Sequence, residues 1–130
     1  MDESLVRAQM TGDDFRRLTS AFYRRGKKDD LIGPMYPDND WDGAEQRLAD
    51  FLCFRLLGEQ KYMEERGHPR LRMRHAPFSI GQAERDRWLQ FMDEAMAETG
   101  VPDLSVAVLR PLFRQIADFM RNREEPAASA

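Results

Sequence analysis

Residues 67–78 run Gly67, His68, Pro69, Arg70, Leu71, Arg72, Met73, Arg74, His75, Ala76, Pro77, Phe78, and they hold both histidines of the chain. A neutral imidazole is a metal ligand, and a guanidinium is a planar fork that binds carboxylates. Pro69 has a preset φ and no N–H to give, so it suits a helix start, and Pro77 cannot extend that helix. The spacing therefore predicts about two helical turns between the prolines. Leu71 and His75 share one face of it, while Arg70 and Arg74 share another. An imidazole in the last turn can donate Nδ1–H to a carbonyl one turn earlier, which fixes its tautomer and leaves Nε2 for a metal. One imidazole presented among arginines suits an iron porphyrin, whose propionates would take the cations.

His68 is separated from His75 by seven positions and by Pro69, so it is expected to be structural or to lie at a propionate edge. An iron held by His75 would then keep one open position. A diatomic ligand there gains negative charge, which O–H and N–H donors in an apolar pocket stabilise. Tyr23, Tyr36 and Trp88 are candidates, because each is apolar in body and carries one polar hydrogen. Singly, each reads better as a core or rim aromatic than as a ligand-binding group. Together they could donate to one ligand. Arg70 and Arg72 also fit an ordinary solvated face.

These residues need helices to position them. Asp13 and Asp14 open a segment with Phe15, Leu18, Thr19 and Phe22 at helical spacing, closed by Arg24, Arg25, Gly26, Lys27 and Lys28, a polarity that the helix dipole favours. Residues 29–40 hold Gly33, Pro34, Pro37, Asp38, Asn39 and Asp40 and predict a structured corner. Residues 41–57 predict a helix with Ala44, Leu48, Phe51, Leu52 and Arg55 on one stripe and Gly58 as its stop. Residues 59–67 read as polar connection containing Tyr62. A long helix is expected over residues 82–99, with Trp88, Met92, Ala95 and Thr99 on one face and Gly100 and Pro102 beyond it. The last helix is expected from Asp103 or Ser105 to about Asn122. Leu104, Val108, Leu112, Ile116 and Phe119 stand in register along it, and Pro111 should kink or restart it. No strand alternation, hairpin dipeptide or repeat occurs, so the class is all-α.

The chain has 130 residues, enough for one domain, expected over residues 1–122, with residues 123–130 a disordered tail. A formal net charge of −3 argues against a general nucleic-acid binder. No apolar run reaches the roughly 18 residues of a membrane span, and the N-terminus lacks the pattern of a signal peptide, which places the protein in the cytoplasm. The single cysteine, Cys53, cannot form an intrachain disulfide or a thiolate metal cluster, and reads as a small apolar packer.

Several strings of the chain resemble the truncated haemoglobins of the second group, the O-type. They are Phe22-Tyr23, Met35-Tyr36-Pro37, the run from Asp42 through Leu48, residues 67–78, and Glu84 through Leu89. The likeness spans residues 12–121. It implies a shortened globin, a two-over-two helical sandwich around haem b, with the F helix reduced to a turn or two. His75 matches the proximal iron ligand, Tyr23 the tyrosine of the B helix, Tyr36 the aromatic of the corner after helix C, and Trp88 the tryptophan of the G helix. Ala44 stands where many globins have a distal histidine, and Leu48 at the next pocket-facing position. Arg47, Tyr62, His68 and Arg74 match positions near the propionates. Gly12 and Gly58 stand where the family usually has glycine pairs, Trp41 replaces a small aliphatic residue, and Pro111 is unexpected in the last helix.

The resemblance implies binding of O2, CO and NO, and a slow release of O2 that favours redox chemistry over delivery. An enzyme on the same scaffold, an NO dioxygenase or a peroxidase-like protein, is the alternative. It would need an external reductase, since no flavin or nicotinamide motif is present, and the chain lacks a distal histidine or carboxylate clearly placed for peroxide cleavage. A haem-free interaction or sensor globin is the third reading, and a homodimer is compatible with all of them.

Overall fold

A computed structural model of the chain describes residues 3–35, 41–58 and 80–120, and every regular element among them is helical. In chain order these are α1 (Ser4–Gln9), α2 (Gly12–Gly26), a 3-10 turn (Gly33–Met35), α3 (Trp41–Leu57), α4 (Gln82–Glu98) and α5 (Asp103–Met120). No helix among the described residues is long and apolar enough to cross a membrane. The expected helix over residues 69–77 and the expected tail lie outside the described residues.

α2 begins where two orphan amides find partners. The Asp14 N–H donates to Thr11 Oγ1 at 3.3 Å and the Thr11 N–H donates to Asp14 Oδ2 at 2.8 Å, a reciprocal cap. Phe15, Leu18, Thr19, Phe22 and Tyr23 recur at three- and four-residue steps and are buried on one face. Gly26 is the last residue of the helix, two steps earlier than a stop glycine would stand. The chain then folds back so tightly that a Cβ on Gly33 would stand 3.0 Å from the Gly26 carbonyl oxygen, a contact that a larger residue could make only if the turn gave way slightly.

α3 has the bounds that its sequence predicts, and Gly58 follows it at φ 75°, the left-handed stop. Ala44, Phe51, Leu52 and Cys53 are buried in it. Arg55 departs from the expected stripe: it is exposed, and its Nη2 pairs with Glu3 Oε2 at 3.1 Å, because a guanidinium at the edge of an apolar face finds a carboxylate rather than the core. α4 is opened by the buried Glu84, which accepts from the Gly81 N–H at 2.7 Å, and Gly100 at φ 70° lies just beyond its end.

α5 runs unbroken through Pro111, with no restart. The proline is exposed, so the bond that it forfeits lies on the solvent side, where water can satisfy the freed carbonyl. The predicted register of α5 is partly displaced. Val108 and Leu112 are buried, but Leu104 and Phe119 are 59% and 57% exposed, and Ser105, Leu109, Phe113, Ala117 and Met120 complete the buried face. A row of four-residue steps drifts about 40° per step around a helix, so its ends leave the core face.

α2 is central: it packs on both α3 and α4, while α4 packs on α5. α1, a helix that no periodic signal in the sequence marks, bridges α3 and α5. Val6 is buried beneath it, and Ser105 Oγ donates to Gln9 Oε1 at 2.6 Å. The cap at Thr11 holds the start of the central helix, so Thr11→Ala is expected to lower the unfolding free energy by about 1 kcal/mol in urea titrations. No measurable change would show that the cap is inert.

Candidate functional site

Tyr23 is buried in the last turns of α2, next to the fully buried Phe22. The Phe22 ring meets Tyr23 edge-on at 5.1 Å and Trp88 of α4 at 5.4 Å. The row continues on both sides: Tyr23 meets Trp41 of α3 at 6.2 Å, and Trp88 meets Phe113 of α5 at 6.0 Å. One line of edge-to-face rings therefore crosses four helices, with Tyr23 and Trp88 separated only by Phe22. Phe22, Trp41 and Phe113 are its unforeseen members. The signal for Phe22 was its place beside Tyr23 on the buried face of α2, whereas Phe113 gave none short of knowing how α4 and α5 pack.

Ala44 is buried on α3, and Arg47 and Leu48 are half-buried one turn further on. Trp88 is half-buried and packs against the core, its ring meeting those of Phe22 and Phe113. Beside Ala44, burial pushes the Glu45 carboxyl above its ordinary value; Lys27 opposes this and Asp42 adds to it. Tyr36, Tyr62, His68, Leu71, Arg74 and His75 lie outside the described residues. The structure thus brings together Tyr23 and Trp88, with Ala44 and Leu48 on the helix that packs against α2. Among the described residues there is no group of three or more His, Cys, Asp and Glu side chains that could hold a metal ion.

Ion pairs surround the crossing of α2 and α4. Arg25 pairs with Glu94 at 3.2 Å and with Glu98 at 2.7 Å, and Arg24 also pairs with Glu98. Hydrogen bonds from Arg24 and Arg25 hold the Glu98 carboxyl below its ordinary value. On the other side of Trp88, Arg87 pairs with Asp29, whose side chain is only 7% exposed. Asp29 Oδ2 also accepts from the N–H of Leu31 at 3.1 Å and of Ile32 at 2.9 Å. Burial alone would raise the Asp29 carboxyl, but the two amides and Arg87 outweigh it and hold the group below its ordinary value.

The profile of the bacterial-like globin family matches residues 9–122. The chain belongs to the bacterial-like globins. Its relatives are group II truncated haemoglobins, and its fold is theirs, the two-over-two arrangement. It is 38% identical over 85 residues to the group 2 truncated haemoglobin YjbI of Bacillus subtilis, a match that covers 65% of this chain and 64% of that protein, slightly under two-thirds of its length. The haemoglobin of Chloroflexus aurantiacus superposes with a TM-score of 0.84 at 40% identity, over 88% of this chain and 94% of that one. The group II truncated haemoglobin of Bacillus anthracis gives 0.87 at 29% identity, over 95% and 94%.

The lowered Asp29 carboxyl has a pH signature. A group with a depressed folded value adds stability that is fully present above the unfolded value, and it is lost as pH falls through the lower folded value. The difference in unfolding free energy between this globin and its Asp29→Asn variant is therefore expected to be flat from about pH 7 to 5 and to shrink below about pH 4. Thermal or urea unfolding across that range checks this, and a difference that stays constant to about pH 2 would contradict it.

Proposed function

We infer from its membership of the truncated haemoglobins that this chain binds a diatomic gas at a haem. We propose that this globin takes haem b through His75 and retains O2, CO or NO with hydrogen-bond donors from Tyr23, Tyr36 and Trp88. The observation that carries the reading is the contact of one buried ring, Phe22, with both Tyr23 and Trp88. That packing gathers a phenol and an indole from different helices into one apolar neighbourhood, a donor set that fits the ligand side of a haem. Haem b, when bound, would supply the iron that takes the gas.

The chain's own residues do the rest. The Tyr23 O–H and the Trp88 N–H donate to charge that develops on the ligand, in surroundings where water competes little. Ala44 is short enough to leave space where a larger side chain would stand, and Leu48 adds an apolar wall. Leu71 shares the His75 face of the predicted helix and would lie against the ring. Arg47, Tyr62, His68 and Arg74 are proposed for the propionates, with Arg74 the nearest in sequence to His75.

A hydrogen bond to a charged partner is worth about 1.5–3 kcal/mol, and about 1.4 kcal/mol is tenfold in an equilibrium constant. Replacing Trp88 by Phe in the haem-loaded protein should therefore raise the O2 dissociation rate by roughly tenfold or more, as read by stopped flow. An unchanged rate would defeat the donor cage. His75→Ala should abolish the stable five-coordinate Soret spectrum of the purified, haem-supplied protein; a variant that keeps this spectrum would remove His75 from the iron.

A further inference from the structure

We propose that Asp29 and Arg87 are positioning residues that set the orientation of the Trp88 indole at the crossing of α2 and α4. This rests on the reading of Trp88 as a ligand donor, and it assigns the pair no contact with the ligand itself.

The Asp29 carboxylate is anchored before Arg87 reaches it. Its Oδ2 is held by the Leu31 and Ile32 amides, so its place is set by the backbone of the turn out of α2 rather than by a free rotamer. Arg87 Nη1 donates to the remaining oxygen, Oδ1. That carboxylate is 7% exposed, whereas Glu94 and Glu98, which pair with Arg25 further along α4, are 45% and 40% exposed. Arg87 itself is 36% exposed, so what distinguishes this pair is its carboxylate end, buried and held by two amides, whereas the carboxylates that pair with Arg25 are open to solvent that weakens them.

Arg87 directly precedes Trp88, and successive side chains on a helix are about 100° apart. Tying Arg87 to a fixed point on the α2 side therefore fixes how far α4 is turned about its axis, and with it the direction of the next side chain. Phe22 and Phe113 bound the Trp88 ring on two sides, but ring packing tolerates small sliding. The Asp29 tie restricts that freedom. It also links the indole to the corner that leads, in sequence, to Tyr36.

The test uses 15N-labelled full-length protein, haem-loaded and CO-bound, in which the two tryptophans give two indole N–H resonances. The Trp88 signal is identified by its loss in Trp88→Phe. Asp29→Asn and the conservative Arg87→Lys should each move the Trp88 signal by more than its line width and leave that of Trp41 in place. Each should also raise the O2 dissociation rate several-fold, with no further rise when combined with Trp88→Phe. An unmoved indole in both variants would overturn the proposal, as would a rate increase that persists in full in the Trp88→Phe background. If Trp88→Phe alone leaves the rate unchanged while both variants still move the indole, the positioning role stands and the ligand reading of Trp88 fails.

Discussion

The ring of Phe22, fully buried between Tyr23 and Trp88, is the contact on which the rest of the arrangement depends. Burial of a phenylalanine stabilises by about 1.5–3 kcal/mol, and each edge-to-face ring pair adds about 0.5–1.5 kcal/mol. Those amounts suffice to hold α2 against α4 at one point. They also decide what surrounds that point. Next to Phe22 on α2 comes Tyr23, and the α4 residue that meets the ring is Trp88, so the packing that builds the core places two polar-tipped aromatics together. Structure and candidate site are the same contact seen for different purposes.

Charge refines what packing begins. The pairs of Arg24 and Arg25 with Glu94 and Glu98 lie on the surface, where water screens them. Asp29 is different, because the turn that carries it is itself bent back on α2. The approach of Gly33 to the Gly26 carbonyl permits this bend, and the bend turns the Asp29 carboxylate inward toward two amides and Arg87. One turn thus carries both a close backbone approach and an ion pair to the residue before a tryptophan on another helix.

Much of this was legible in the sequence. The span of α3, the stops at Gly58 and Gly100, and the buried face of α2 follow from periodicity and glycine placement, which act locally. α1 leaves little trace in the sequence because six residues carry little periodic signal, and its place is set only by packing on α3 and α5. The outer residues Leu104 and Phe119 were misjudged because a row of apolar positions does not say where its neighbours end. Tyr23 and Trp88 were nominated by chemistry and resemblance, but the ring that joins them was not. Asp29 was invisible for the same reason: nothing in a sequence pairs a turn aspartate with an arginine on a distant helix.

Phe22 carries no polar hydrogen, so it can influence a bound gas only through the residues that it packs. The O2 dissociation rate of the haem-loaded Phe22→Leu variant, with its helical fold verified by circular dichroism, therefore tests the central claim most directly. A several-fold faster release than that of the unaltered protein is predicted. A folded variant with an unchanged rate would contradict the claim that this ring organises the ligand donors.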